Sequence, residues 1–217
     1  GGQKCGRGYP YRGYLYCYSA QAKTSFIAAM QAKYPTITNL NQAWGTNLKN
    51  FDEVSPPTNK DAFFNITDET AYINSQYGRD FIEWYHNEMV KHGQTMLTLA
   101  INAFGDEFNG VPLGIKIPGV HWTAGGYDKA NNFANNMPRS AEVCAGIISN
   151  NFTPDIADKG CGPGYTQSVK MIADLKRSTG ADINLYFTCI DMPNDDVAKA
   201  YSMASALVFG VGTQAHS

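Results

Sequence analysis

The sequence is short of charge, of paired-cysteine motifs and of long apolar runs. Only 17% of its 217 residues are Asp, Glu, Lys or Arg, and the formal net charge is −2. No field of one sign exists to gather nucleic acid or an anionic membrane surface, so neither is expected as a partner. No apolar window reaches the roughly 18 residues a membrane-crossing helix needs, so no membrane insertion is expected. The five cysteines, Cys5, Cys17, Cys144, Cys161 and Cys189, form no CxxC pair, which removes the zinc-ribbon and thioredoxin-type spacings. No phosphate-binding loop, Ser-His-Asp order or metal-ligand spacing occurs, and no cofactor or metal is expected. Gly1 to Gly8 is polar and glycine-rich, unlike a signal peptide. No internal repeat stands out.

What the sequence does have is apolar mass and rings. Hydrophobic residues make up 43%, a globular composition, and the length fits one ordinary domain. Aromatic residues make up 12%, with 13 tyrosines. Such rings suit the apolar faces of sugars, although a place in a tyrosine-rich core is the commoner role of any single one. Cys5 with Cys17, and Cys144 with Cys161, are spaced to close short loops, while Cys189 reads as a buried thiol in an apolar run. Two sequons, Asn65-Ile66-Thr67 and Asn151-Phe152-Thr153, together with the loop cysteines point to a secreted, extracellular protein.

Periodicity predicts a helix from a Ser19 cap to Tyr34, ended by Pro35, and a short one over Asn39–Trp44, stopped by Gly45. Phe51 to Asp68, with Pro56-Pro57 at its centre, reads as loop. A long helix is predicted over Asp80–Phe104, with Phe81, Trp84, Tyr85, Met89, Met96, Leu99 and Ala103 as its apolar stripe. The run Val111 to Val120 and the run Ile183 to Ile190 read as strands buried on both faces. Between them lie a long polar loop, Tyr127 to Pro163, and a helix over Tyr165–Ser178 with Gly180 as its stop. A final amphipathic helix is predicted over Asp196–Phe209. The alternation of helix and strand argues for a parallel sheet with crossover helices. Two confident strands cannot close a barrel of the type that typically needs roughly 250 residues, so the pattern reads as part of one.

In such folds the chemistry gathers just beyond the carboxyl ends of the strands. His121 and Trp122 follow the first strand, and Thr188, Cys189 and Asp191 end the second. Lys116 lies inside the first strand, where a buried lysine is costly unless paired. Plainer readings stand beside these: His121 as a hydrogen-bonded strand-end residue, Trp122 as a core lid, Thr188 as an ordinary strand former, Asp191 as a turn cap before Pro193. A paired-carboxylate hydrolase using Asp191 and Glu142 is a further option, resting on spacing alone.

Several blocks, in order, are shared with one known family. Gly8-Tyr-Pro-Tyr-Arg-Gly13 followed by Tyr16-Cys-Tyr18 resembles its GYPSRG segment and the aromatic stretch after it. Asn41-Gln-Ala-Trp-Gly-Thr46 resembles its NKAWGT, and Tyr77-Gly-Arg-Asp-Phe-Ile-Glu-Trp-Tyr85 its YGKDFLEWY. Gly114-Ile-Lys-Ile-Pro-Gly-Val-His-Trp122 is similar to AKIAGVHW, and Tyr186-Phe-Thr-Cys-Ile-Asp-Met192 to FTCLEM. Pro138-Arg-Ser-Ala-Glu142 and Ala145-Gly146 stand where the family has PHGAE…AGY. By these blocks the chain resembles the β-amylases, glycoside hydrolase family 14.

The resemblance implies an α/β fold: part of a (β/α)₈ TIM barrel, roughly its central βα units, with long loops at the C-terminal face. Residues 1–217 would form a single segment of that catalytic barrel, with the rest of the barrel or a larger assembly as its partner. It implies inverting hydrolysis of α-1,4-glucan from the non-reducing end, releasing β-maltose. Lys116, His121 and Trp122 match positions that hold the glucan, and Thr188 matches an inner-loop threonine that supports catalysis by holding the leaving sugar. Counting along the family pattern places the general acid, in a GELRYPSY stretch, before Gly1, and the general base, in a GENAL stretch, after Ser217. The expectation is that this chain by itself is inactive. The family's FTCLEM glutamate is Asp191 here, its PHGAE histidine is Arg139, and Thr123 departs after His-Trp. These departures keep open a non-catalytic carbohydrate-binding or structural relative.

Overall fold

The computed structural model describes residues 15–64, 71–104, 110–118, 123–124, 137–138, 166–188 and 212–215. Residues 1–86 with 138–146 form one compact unit, and residues 87–137 with 147–217 a second.

In the first unit, helix α1 spans Ala20–Lys33, and Ser19 caps it by accepting a hydrogen bond from the Ala22 amide at 3.1 Å. Helix α2, Ile37–Trp44, starts two residues before the expected Asn39 because Thr36 takes the cap, its hydroxyl accepting from the Asn39 amide. Gly45, in the left-handed region at φ 70°, ends it as expected. The segment read as loop holds a 3₁₀ turn at Phe51–Glu53 and a short helix α3 at Lys60–Phe64. The Asn59 side chain, accepting from the Asp61 and Ala62 amides, supplies the start signal that was passed over there. A second 3₁₀ turn, Ala71–Asn74, leads into helix α4, Gln76–Phe104. This helix starts four residues before the expected Asp80. Ser75 does the capping, accepting from the Gly78 amide at 3.0 Å.

The core of this unit is aromatic. Phe26 of α1 is fully buried, with its ring centroid 5.1 Å from Trp84, 6.1 Å from Phe81 and 6.2 Å from Trp44. Among these rings sits a completely buried carboxylate, Asp80. It accepts from the Tyr34 hydroxyl at 2.6 Å, the Trp44 indole N–H at 2.7 Å and the Gln76 amide at 2.8 Å. The Lys33 ammonium lies 2.9 Å away and also reaches Glu83 at 2.6 Å. A buried charge persists only when its lone pairs are filled in this way. Burial by itself would lower the Lys33 pKa, but hydrogen bonds and charge from Glu83 and Asp80 outweigh it and raise the value. Burial, with the hydrogen bond to Asp80, raises the Tyr34 hydroxyl to about 12. Cys17 corrects one expectation: it is a free, buried thiol instead of closing a loop with Cys5, and burial raises it to about 11. The apolar interior, which accepts a thiol as a small hydrophobe, is what holds it.

In the second unit, strands β1 (Leu113–Pro118), β4 (Ile183–Thr188) and β5 (Gly212–Ala215) form one parallel sheet in the order β1-β4-β5. The two-residue strands β2 (Thr123–Ala124) and β3 (Met137–Pro138) fall between them in sequence. Strand β5 is a third parallel strand that the apolar pattern did not announce, because Gly212-Thr-Gln-Ala215 carries no apolar run. The helix expected over 196–209 lies outside the described residues, as does most of the loop 127–163. Helix α5, Thr166–Thr179, covers one face of the sheet. Leu97, Val169, Ile172, Leu175, Ile183 and Leu185 make the core there.

Two expectations fail in this unit. The inward stripe of the second half of α4 is Val90, Leu97 and Ile101, whereas Met89, Met96, Leu99 and Ala103 are exposed. Both stripes keep helical spacing, so periodicity could not choose between them. The strands were also expected to be buried on both faces. In β4, Ile183 and Leu185 are buried while Asn184 and Tyr186 are only half-buried; in β1, Gly114 and Lys116 are exposed. One face carries the helices, and among the described residues the other stands open. Among the described residues, no helix is long and apolar enough to cross a membrane.

Candidate functional site

The carboxyl ends of the strands lie along one edge of the sheet. The Leu113 amide donates to the Asp182 carbonyl at 2.8 Å, and register runs from there as Lys116 opposite Tyr186 and Pro118 opposite Thr188. Lys116 and Thr188 are therefore on neighbouring strands, two register positions apart. Strand spacing and rise place their Cα atoms about 8 Å from each other. Strands β1 and β4 both end at that edge, at Pro118 and Thr188.

Lys116 is exposed on the open face, which corrects the expectation of a buried lysine. Alternation along β1 directs Ile115 to the helix-covered core and Lys116 to the other side. Its ammonium needs no partner to offset burial there, and it can donate up to three hydrogen bonds to a neutral polar ligand. Thr188 is the last residue of β4. His121 and Trp122 lie outside the described residues, as do Glu142, Asp191 and Arg139; Thr123 begins β2.

One feature of the open face escaped the reading of the sequence. A Cβ built on Gly114 would stand 2.6 Å from Cε2 of Tyr186, so the tyrosine ring occupies space that only a glycine leaves. Tyr186 thus lies diagonally across β1 while its backbone is registered with Lys116. A glycine inside an apolar strand is the signal that marks such a close approach.

Two other shared blocks that lie within the described residues prove to be structural. In Asn41–Thr46, the Asn41 side chain pins the turn by bonding Thr46 and both backbone groups of Leu48. Trp44 donates to Asp80 and Gly45 ends the helix. In Tyr77–Tyr85, Tyr77 donates to the Ser55 carbonyl, Trp84 to the Ser25 hydroxyl, and Tyr85 accepts from the Tyr16 amide. These residues build the first unit, and their spacing records a fold.

The model for glycosyl hydrolase family 14 matches residues 3–217, nearly the whole chain. The chain belongs to glycosyl hydrolase family 14. It is 35% identical to a thermophilic beta-amylase of Thermoanaerobacterium thermosulfurigenes over 96% of this chain and 32% of that protein. It is 33% identical to a beta-amylase of Cytobacillus firmus, over 98% of this chain and 38% of the relative. The chain thus spans about a third of the length of these relatives. The crystal structure of the catalytic domain of beta-amylase from Paenibacillus polymyxa aligns with 96% of this chain and 50% of its own, at a TM-score of 0.50 and 27% identity. Membership in family 14 makes the parallel sheet part of a barrel-related α/β fold; among the described residues the sheet is open, with three strands.

Proposed function

We propose that this family 14 chain is the central portion of a β-amylase-type glycoside hydrolase acting on α-1,4-glucan from the non-reducing end to release β-maltose. Residues 1–217 would be one segment of a (β/α)₈ barrel, and the open sheet face would be turned toward the barrel interior. The observation that carries this reading is the family match over residues 3–217, supported by a parallel register that puts Lys116 and Thr188 on neighbouring strands.

Lys116, His121 and Trp122 would hold the glucan, the lysine through its hydrogen bonds and the tryptophan through its ring. Thr188 would hold the leaving sugar. None of the four transfers the decisive protons. Inversion needs a carboxylic acid to protonate the glycosidic oxygen and a carboxylate to activate water from the opposite face, roughly 6.5–9.5 Å apart. Those two groups would come from flanking sequence.

A chimera tests this. Residues 3–217 replace the matching segment of the Thermoanaerobacterium beta-amylase, and maltose is followed by NMR of its anomeric proton. The expected product is the β anomer, with kcat/KM lowered by about 10²-fold in Lys116→Ala through loss of substrate positioning. A second reading, a non-catalytic carbohydrate-binding relative, is favoured by Asp191, Arg139 and Thr123, where this chain departs from the family pattern. A folded chimera without activity would establish that reading over the first. The two sequons add a proposed secreted location, to be checked by glycosidase-sensitive mass.

A further inference from the structure

The first unit contains an open-sided cavity of about 490 Å³ that shares no residue with the sheet edge. Its size is within the roughly 300–1,000 Å³ of small-molecule sites. Buried Pro56 and Pro57 form part of its wall. Phe63 and Tyr72, with rings near parallel at 5.5 Å, and the half-buried Tyr77 form another part. Thr58, Asn59 and Ala62 are exposed at its mouth. None of its ten described lining residues is charged. The described lining offers no counter-ion to a phosphate, a carboxylate or an amine. It offers ring and proline C–H surface beside hydroxyl and amide groups, which is the surface of a site for a neutral, polyhydroxylated ligand.

The walls are held in place without a ligand. The Tyr77 hydroxyl donates to the Ser55 carbonyl at 3.1 Å, tying the start of α4 to the proline pair. Ser75 donates to the Tyr72 carbonyl at 3.2 Å while accepting from Gly78. Asn59 fixes the start of α3, from which Ala62 and Phe63 face the cavity. Binding would therefore cost little reorganisation.

We propose that this cavity is a second carbohydrate site, one that takes a short α-1,4-glucan segment apart from the strand-edge residues. The choice of glucan rests on the function proposed above; the neutral, ring-lined chemistry rests on the cavity alone. The site anchors substrate and takes no part in bond cleavage.

The test is calorimetric and NMR titration of the 217-residue chain with maltoheptaose. Saturable binding is expected, with amide shifts at Thr58, Ala62 and Tyr77. Ala62→Trp, which fills the mouth from an exposed helix position, and Phe63→Leu, which removes the ring, should each weaken binding roughly tenfold. Met96→Ala, at an exposed position of α4 that is no part of the cavity lining, should leave it unchanged. Circular dichroism identifies any variant that fails to fold, and if Phe63→Leu is lost in this way Ala62→Trp decides. Absence of saturation, equal binding of cellohexaose, or indifference to Ala62→Trp would each overturn the site. An inactive chimera with intact maltoheptaose binding would sink the hydrolase reading and leave the cavity standing.

Discussion

In the first unit the side chains that meet in the interior are rings bearing polar atoms, whereas in the second they are almost all aliphatic. Phe26, Trp44, Trp84 and Tyr34 surround a buried carboxylate whose acceptor sites are filled from α1, α2 and α4. Leu97, Ile172, Ile183 and Leu185 pack together as an aliphatic cluster. A ring-and-carboxylate core is specified by directions as well as volumes, because each donor must point at one oxygen. An aliphatic core is specified by volume and patterning, and it is the sheet register that gives this second unit its precision.

The largest test of that contrast is Asp80→Ala. It would leave Tyr34, Trp44 and Lys33 without their shared acceptor, and a loss of about 3–5 kcal/mol is expected. The urea midpoint measures it; a loss near zero would show that the network adds nothing beyond packing. Next is Leu185→Ala, a cavity mutation in the aliphatic core, expected to cost about 2–5 kcal/mol with less spread to residues 15–64. Amide exchange in residues 15–64 should stay protected, and equal deprotection of both units would erase the distinction between them.

A smaller effect is expected at the open face. Gly114→Ala drives a methyl into the Tyr186 ring and should cost about 1–3 kcal/mol. Adding Tyr186→Ser should recover most of that cost in a double-mutant cycle, and strict additivity would disprove the contact. Smallest near neutrality is the response to pH. Cys17 and Tyr34 are raised from 9.0 to about 11 and from 10.0 to about 12, so folding favours their protonated forms. Their contribution is complete below pH 9 and is lost as pH rises from 9 to 12. Lys33, also raised, adds to the loss in the alkaline range. Cys17→Ala should remove the part of the decline that begins at pH 9, read from urea midpoints across that range.

Local signals were legible where a residue acts on its own neighbours. Ser19 capped the helix it was expected to cap, and Gly45 and Gly180 stopped theirs in the left-handed region. The parallel sheet followed from the alternation of helix and strand. The polar strand β5 and the short helix α3 gave no apolar run, so the pattern passed over them. Sequence order placed Lys116 and Thr188 at strand ends, and the register then set them on one edge. His121 and Trp122 lie outside the described residues.

The ordered blocks alone were enough to assign the family, since shared spacing over a whole chain needs no coordinates. They could not say what each block does. Only the fold showed that Asn41–Thr46 and Tyr77–Tyr85 are wired into a core, through bonds between residues up to 69 positions apart. Only the fold chose between two equally periodic faces of α4, and put Lys116 on the open side of its strand. The reason is physical: periodicity fixes which residues share a face, and the tertiary neighbours of that face determine whether it is core, site or solvent-exposed surface.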